Sequence, residues 1–323
     1  MVTYQRLRQH PSVTSSLIGM SLSAFDKFYA EFETAHEHRL NMLTVTKRRR
    51  QRRQRAVGAG RRYRYDLRDR LLMTLFWLRV YMTYEVLGFF YDLDKTNIED
   101  NLKAVLMTLE QMTTFTFDRP DAERSKLRSP EAVMDAFPAV RLVIDAKEQR
   151  IQRPKNPKGE DGKTLDRQKP YYSGKKKAHT LKNQVGVCPT GKIDAVSESV
   201  PGSTHDLTLL RQTKLVDQLA PEEAAMLDKG YDGLQNDYPD QPLVLPYKAR
   251  RNHPLTDEQK AFNRFLSKYR IVVEHTLAQM NKFAVVAQVF RHALDSHSRI
   301  FRIVAGLVNR RIEVKPLKTY AVV

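Results

Sequence analysis

The sequence predicts an all-α N-terminal region followed by an α/β domain in which a mixed five-stranded sheet is flanked by helices. Before residue 115 the apolar residues recur every three or four positions, as they do on amphipathic helices. After residue 139, short runs rich in β-branched residues alternate with helical segments, the order expected of a mixed sheet. Residues 116–138 are polar and contain three prolines, which indicates a linker. We therefore divide the chain into residues 1–115, 116–138 and 139–314, with a tail at 315–323.

Helical periodicity in the N-terminal region is clearest in four segments. These segments are residues 22–43, 65–81, 84–93 and 95–112, the last two preceded by the potential caps Thr83 and Asp94. Together the last two, over residues 83–112, have the order of a helix-turn-helix, whose second helix meets base edges of DNA with its N-terminal end. The side chains available there are Lys95, Thr96, Asn97, Asn101 and Lys103. An ordinary three-helix bundle explains the same pattern, so the helices alone do not establish DNA binding.

The α/β domain is predicted from five strand-like runs and three helical ones. The strands are expected at residues 140–146, 180–188, 192–200, 224–229 and 243–245. The helices are expected at residues 206–213, 257–288 and 296–312. This order of strands and helices suits a mixed sheet covered by helices.

The composition excludes several classes of protein. Apolar residues make up 41% and charged residues 28% of the chain, which is typical of a globular protein and not of a fibrous or disordered one. The single cysteine, Cys188, excludes an internal disulfide framework and a multi-cysteine zinc module. No apolar run is long enough for a membrane span, and the N-terminus has no apolar core of a secretion signal. We therefore expect a cytoplasmic protein without a membrane partner.

The charge is strongly positive and is concentrated in two segments. The chain has 55 Lys and Arg against 37 Asp and Glu, a formal net charge of +18, which favours a polyanionic partner such as nucleic acid. The first segment is a basic arm at 47–64, and the second is a basic insertion at 147–182 with twelve Lys and Arg against four acids. The cations expected to contact phosphates are Arg48, Arg49, Arg50, Arg52, Arg53, Arg61, Arg62, Lys175, Lys176, Lys177 and His179. A solvated basic face, or a nuclear address in the arm, explains the same runs.

Three carboxylates have the positions that a metal site would need. Asp145 and Asp228 each close an apolar run, so we expect them at the carboxyl ends of strands. Glu274 lies at the polar edge of the long helix, four residues after Arg270. Such a set can hold two Mg²⁺ about 3.5–4 Å apart, whereas the alternative is a salt bridge between Glu274 and Arg270. His205 and Asp206, at the start of the predicted 206–213 helix, are expected to cap it or to orient a metal ligand.

Four phrases in this order resemble a known family. They are YYSGKKKAHTLKNQ at 171–184, VPGSTHDLTLLR at 200–211, LDKGYDGL at 227–234 and IVVEHTLAQMNKF at 271–283. They are similar to the catalytic core of DDE transposases, most of all to the bacterial insertion-sequence family five and its PIF/Harbinger relatives. The resemblance extends over about 71–312. It implies an RNase H-like fold preceded by a helix-turn-helix domain, with Asp145, Asp228 and Glu274 as the metal-binding triad and Arg270, His205 and Asp206 as groups that orient it.

The resemblance also implies an activity. A DDE transposase binds the terminal inverted repeats of its element, cleaves the ends with two Mg²⁺ ions, for which Mn²⁺ can substitute, and joins the 3′-hydroxyls to target DNA. We accordingly expect double-stranded DNA as partner, a homodimer on DNA and a bacterial, nucleoid-associated protein. The alternatives are a domesticated sequence-specific DNA-binding protein and an RNase H-like nuclease. The family often has Lys seven residues after its Glu, but Asn281 stands there and Lys282 follows it, so Lys282 is the expected phosphate contact.

Overall fold

The chain forms two compact units. One unit comprises residues 1–114 with 282–285, and the other comprises residues 115–281 with 286–323. The computed structural model describes residues 2–50, 63–113, 140–156, 166–251, 253–314 and 317, with side chains to residue 42 in the first stretch. The predicted linker at 116–138 lies outside the described residues, as do the side chains of Arg48, Arg49, Arg50, Arg52, Arg53, Arg61 and Arg62. In the described stretches, no helix combines the length and apolarity that crossing a bilayer requires.

The first unit is helical throughout its described residues. Its helices are α1 (Tyr4–Gln9), α2 (Pro11–Ile18), α3 (Leu22–Arg50), α4 (Leu67–Val80), α5 (Tyr84–Tyr91) and α6 (Lys95–Met112). The two predicted caps are confirmed, because the Thr83 side chain accepts a hydrogen bond from the Val86 N–H and Asp94 accepts one from the Asn97 N–H. Helices α1 and α2 were not predicted, since each is too short to show a helical period.

Helix α4 is the centre of the first unit. Residues 70–78 are buried without interruption, and α1, α2, α3 and α6 all pack against this helix. A helix that is apolar on every side is stable only when neighbours cover it completely, which explains the long apolar run. Gly88 sets the turn that follows α5, because a Cβ there would lie 2.3 Å from the Leu93 carbonyl oxygen.

The second unit contains a mixed sheet, which confirms the expected α/β architecture. Its strands are β1 (Val140–Arg150), β2 (Tyr172–Ser173), β3 (Ala178–Val187), β4 (Ile193–Val196), β5 (Val200–Pro201), β6 (Ala224–Met226) and β7 (Leu243–Val244). The order is β2-β3-β1-β6-β7, with β4 and β5 also pairing to β3. Strand β3 is antiparallel to β1, whereas β6 and β7 run parallel to β1. The sheet has seven strands where five were predicted. Strands β2 and β5 have two residues each, which is too short to show an alternating pattern.

Helices cover both faces of this sheet. The helices after β5 are α7 (Asp206–Thr213), α8 (Asp257–Met280), α9 (Ala284–Ala287), which spans the division between the units, and α10 (His297–Val314). On one face, Leu142 and Ile144 of β1 belong to the same buried cluster as Leu210 of α7. On the other, α8 packs against β1 and β3. The predicted helix over 257–288 was too long, because α8 ends at Met280 and the chain turns before α9.

A buried histidine joins α10 to the sheet. His297 is only 1% exposed and packs against the rings of Phe290 and Phe301. Its Nε2 lies 2.9 Å from Gln149 Oε1 on β1, and its Nδ1 lies 2.7 Å from Ser199 Oγ. Burial and, to a smaller extent, the charge of Lys147 lower the pKa of His297 to about 4. The ring is therefore neutral at physiological pH.

A second buried polar cluster lies where β1, β3 and the start of α7 meet. The Lys182 ammonium is 2.7 Å from Asp206 Oδ1, 2.7 Å from the Thr204 carbonyl oxygen and 3.7 Å from Glu148 Oε1. Thr180 donates a hydrogen bond of 2.9 Å to the other oxygen of Glu148. Lys182 was counted in the basic insertion, but its side chain is buried and neutralised, which corrects the expectation that the whole insertion is a surface for phosphates.

The pKa of His297 predicts that acid destabilises the second unit. Because the folded-state pKa is below the unfolded value near 6.5, the contribution is complete above pH 6.5 and is lost as the pH falls towards 4. The loss is roughly 3 kcal/mol, from about 1.4 kcal/mol for each pKa unit. We expect His297→Gln to lower the free energy of unfolding at neutral pH. Between about pH 7.5 and pH 5, the free energy of unfolding should fall less in this variant than in the wild type, as measured by chemical denaturation. The exposed His253→Gln serves as control, and an unchanged pH slope in His297→Gln would contradict the assignment.

The Lys182 cluster predicts a large loss of stability on truncation. Lys182→Ala leaves two carboxylates without their cation, one of them, Glu148, largely buried, so we expect a loss of about 3 kcal/mol in the free energy of unfolding. Lys175→Ala is the matched control, since that lysine is exposed and its removal is expected to change stability by less than about 0.5 kcal/mol. Equal effects of the two substitutions would show that the cluster does not stabilise the fold.

Candidate active site

Two of the predicted carboxylates are neighbours across the sheet. Strands β1 and β6 run parallel with Val143 opposite Met226, so two further residues along each strand bring Asp145 and Asp228 to the same level. Asp145 does not end its strand as predicted, because β1 continues to Arg150 in antiparallel pairing with β3. Strand β6 ends at Met226, two residues before Asp228. Beyond the level of Asp145, β1 therefore has no β6 residue beside it. The two carboxylates therefore share one opening at the end of β6.

The electrostatic environment of this pair is unusual for two acids. Burial raises the pKa of Asp145, and the charges of Asp228 and Asp206 raise it further, against a hydrogen bond from the Ala146 N–H and the charge of Arg270. Asp228 Oδ1 accepts hydrogen bonds from Arg270 Nη1 at 2.9 Å and from the Lys229 N–H at 2.7 Å. Burial and a neighbouring like charge disfavour the ionised form of a carboxylate. A cation that approaches both carboxylates stabilises their ionised forms.

Helix α8 carries both Arg270, which binds Asp228, and Glu274. Residues four apart on a helix differ by about 40° in direction, so Glu274 lies one turn along from the arginine that binds Asp228. Glu274 is exposed, and its carboxylate has no ion-pair or hydrogen-bond partner among the described residues. The alternative salt bridge between Arg270 and Glu274 is absent, since Arg270 pairs with Asp228. The Nε of Arg270 is buried and has no hydrogen-bond partner in the described part of the chain.

The carboxylates are only partly arranged for a metal ion. Within residues that the structure describes, no three His, Cys, Asp or Glu side chains are close enough together to hold one. Asp145 and Asp228 nevertheless offer adjacent oxygen donors, the type that Mg²⁺ and Mn²⁺ prefer, and Asp228 is already bound to a cation, Arg270. The donor chemistry of this pair fits a divalent ion, whereas Glu274 is not grouped with the two aspartates among the described residues.

The two residues at the start of α7 differ in their surroundings. His205 is exposed and its side chain makes no capping hydrogen bond. Asp206 is held by Lys182 and packs against the turn after Asp228, where a Cβ added at Gly230 would lie 3.4 Å from Asp206 Oδ2. Asp206 therefore contacts the segment that carries Asp228, whereas nothing in the described contacts links His205 to the carboxylates.

A small cavity with cationic walls adjoins Asp228. Its volume is about 270 Å³, and its charged lining consists of Asp228, Lys229, Lys260, Arg264 and Arg270. Arg270 is paired with Asp228 and Lys260 with Asp257 at 3.0 Å, so the lining keeps an excess of positive charge. The sequence analysis did not select Lys229, Lys260 or Arg264, because isolated cations on a surface helix or turn give no pattern.

The expected phosphate contacts of the basic insertion lie in the turn between β2 and β3 and at the start of β3. Lys175, Lys176 and Lys177 are exposed in the turn between β2 and β3, where Lys177 has a positive φ of 48°. His179 is half-buried at the start of β3, with its ring edge-on to Tyr172 at 5.6 Å. The three lysines are thus available to a ligand, whereas His179 is partly occupied in packing.

The predicted base-reading residues of α6 are not all exposed. Thr96 and Lys103 are exposed, Lys95 forms an ion pair of 2.8 Å with Glu85, and the Asn97 side chain donates a hydrogen bond to Asp94. Asn101 is buried at 5% exposure, accepts a hydrogen bond from Arg70 Nε and donates one to the Asn97 carbonyl oxygen. The expectation that Asn101 meets base edges was therefore wrong, because its amide holds the buried Arg70 of α4.

Lys282 is exposed, and its backbone belongs to the first unit. Its carbonyl oxygen accepts a hydrogen bond of 2.5 Å from Arg79, which also lies over the ring of Phe283. Asn281, one residue before it, is bonded to Lys147 of β1 at 2.5 Å. Asn281, at the position where the family often has a lysine, is therefore bonded to another lysine, Lys147. The sequence analysis did not consider this contact.

Comparisons with known proteins give the chain its family. A profile described as DDE superfamily endonuclease matches residues 144–309, more than half of the chain, and this span includes Asp145, Asp228 and Glu274. The probable transposase for insertion sequence element IS702 from Microchaete diplosiphon is 26% identical over 257 residues, which are 79% of this chain and 84% of that protein. No solved structure matches the chain. On the extent of the profile match, the protein belongs to the DDE superfamily endonucleases.

Proposed function

We propose that this protein is the transposase of an insertion sequence of the family five and PIF/Harbinger group, with an RNase H-like catalytic domain. It binds the terminal inverted repeats of its element, cleaves the ends and joins the freed 3′-hydroxyls to target DNA. The observation that carries the proposal is the pair Asp145 and Asp228, adjacent at the end of β6 beside a cationic cavity, inside the span of the family match.

The proposed chemistry assigns a task to each side chain of the site. Asp145, Asp228 and Glu274 would hold two Mg²⁺ or Mn²⁺ ions, which supply an activated water or 3′-hydroxyl and stabilise the departing oxygen. Arg270 forms an ion pair with Asp228 and so neutralises that carboxylate. The cations of the adjoining cavity bind the flanking phosphates, so that the reacting bond faces the two aspartates. No covalent bond to the protein is needed for either step.

Recognition of the ends is assigned to the first unit. Helices α5 and α6 have the order of a helix-turn-helix, Thr96 and Lys103 remain available on α6, and the basic arm at 47–64 supplies sequence-independent affinity. Asp94, Glu99 and Asp100 border this end of α6, so the basic arm has to provide most of the attraction to phosphates. Because two ends have to be held together for joining, the active species is proposed to be a homodimer on DNA.

One observation favours a second candidate, a DNA-binding protein that keeps the fold without the chemistry. Arg270 forms an ion pair with Asp228, and Glu274 makes no ion pair or hydrogen bond with either aspartate. If this arrangement persists with DNA and divalent ions present, the chain binds DNA and does not cut it. Cleavage of element ends in the presence of Mg²⁺ separates the two candidates.

The catalytic assignment predicts the effect of three conservative substitutions. Asp145→Asn, Asp228→Asn and Glu274→Gln should each reduce Mg²⁺-dependent cleavage of end DNA by at least about a thousandfold, because neutral amides do not hold two divalent ions. Affinity for end DNA, measured in EDTA by a mobility-shift assay, should stay within about threefold of the wild-type value, since these groups contact metal and not phosphate.

The matched control is Asp232→Asn, which changes an exposed aspartate four residues after Asp228 that pairs with Lys248 at 3.6 Å. This variant should cleave normally. Normal cleavage by any one of the three triad variants would remove that residue from the site. Loss of cleavage in Asp232→Asn as well would indicate a general effect of negative charge near the DNA.

The recognition assignment predicts that Thr96→Ala with Lys103→Ala reduces discrimination between end DNA and random DNA. Base-edge contacts are worth about 1–3 kcal/mol each, so the ratio of the two affinities should fall by about tenfold or more in a competition assay. Asn101→Ala is the informative comparison, because it should lower the melting temperature through Arg70 without a specific effect on this ratio. Unchanged discrimination in the Thr96 and Lys103 variant would move the reading surface to the basic arm or insertion.

A further inference from the structure

Lys147 has an environment unlike that of Lys182, Arg141 and Arg270, three other cations of the second unit. It lies two residues after Asp145 on β1, and alternate residues of a strand point to the same face. Its ammonium donates to the side-chain oxygen of Asn281, the residue that follows α8, at 2.5 Å. The half-buried lysine therefore lies on the α8 side of the sheet, on the face that carries Asp145.

The charges around Lys147 are unbalanced. Lys182, Arg141 and Arg270 each lie within 3 Å of a carboxylate oxygen, at Asp206, Asp194 and Asp228 respectively. Lys147 has no such partner among the described residues, and its hydrogen-bond acceptor is a neutral amide. Burial and, to a smaller extent, the charge of Lys176 in the turn between β2 and β3 lower the pKa of Lys147 to about 8.

Two ammonium groups that repel one another are stabilised by an anion between them. Lys147 uses one of its three N–H donors for Asn281 and has two more, whereas Lys176 is exposed and can approach from the turn. Holding a half-buried lysine beside a second one costs free energy, and a phosphate oxygen that accepts from both lowers that cost. The neutral Asn281 fixes the direction of the Lys147 ammonium without cancelling its charge.

We propose that Lys147, Lys176 and Asn281 form a phosphate seat, in which the two lysines bind one phosphodiester oxygen of the DNA strand beside Asp145 and Asn281 orients Lys147. The proposal rests on the proposed function, since it takes DNA as the ligand. It adds a DNA contact on β1, inside the catalytic sheet, that is separate from the cationic cavity next to Asp228. Lys147 acts as a positioning residue for the strand and takes no part in bond breaking.

The test measures salt dependence of binding, because a phosphate contact has a known signature there. The probe is a random-sequence duplex in EDTA, so neither the end sequence nor cleavage enters the result. Lys147→Gln should reduce the slope of log affinity against log salt by about 0.9, the value for one duplex phosphate contact, and lower affinity at low salt. Lys147→Arg, which keeps the charge, should retain the wild-type slope.

Two combinations test the geometry of the seat. Adding Asn281→Lys to Lys147→Gln returns an ammonium to the same place from the other side, so the slope should recover. Combining Lys147→Gln with Lys176→Gln should reduce the slope by about 0.9 and not about 1.8, because both lysines bind the same phosphate. Lys192→Gln, a partly exposed lysine paired with Glu313, is the control and should leave the slope unchanged.

The outcomes separate the seat from the proposed function. A wild-type slope in Lys147→Gln, with or without a lower melting temperature, overturns the seat and makes Lys147 a tie between β1 and the end of α8. Wild-type protein that binds the duplex but does not cleave element ends with Mg²⁺ overturns the transposase and leaves the slopes to decide the seat. Wild-type protein with no salt-dependent affinity for DNA overturns both.

Discussion

Parallel pairing of β1 with β6 is the constraint on which the site depends. It fixes Asp145 and Asp228 at one level of the sheet, although they are far apart in the sequence, and it leaves Asp145 partly desolvated beside a second carboxylate. Like charges in a low-dielectric setting repel strongly, so the pairing is tolerated only with cations at hand. Arg270 is one such cation, and it comes from α8, which packs on the same strand.

The sequence predicted features that depend on local patterns. The limits of α7, the caps of α5 and α6, and the alternation of strands with helices all follow from neighbouring residues, and the structure agrees with them. The extents of β1 and α8 were predicted less well. Strand β1 continues through the polar residues after Asp145, because these side chains bind tertiary partners such as Asn281 and Gln288 that no local pattern reveals.

Individual polar residues show the same limit more sharply. Asn101 stands at the exposed-looking start of a helix, yet its amide serves the buried Arg70, and the sequence offers no sign that an arginine would be interior. Lys182 and Lys147 have the same residue type and the same basic surroundings in the sequence, but one is neutralised by two acids and the other is not. Strand alternation from Asp145 was the signal that could have identified Lys147 in advance.

The two faces of the sheet differ in how their charges are balanced. On the α7 side, Lys182 meets Glu148 and Asp206, and this ionic group is closed on itself. On the α8 side, Asp145 and Lys147 lie two residues apart on β1, and Asp228 follows the neighbouring strand β6. The two faces therefore differ in their electrostatics: the charges on the α7 side are compensated within the protein, whereas on the α8 side no carboxylate of the described residues compensates Lys147.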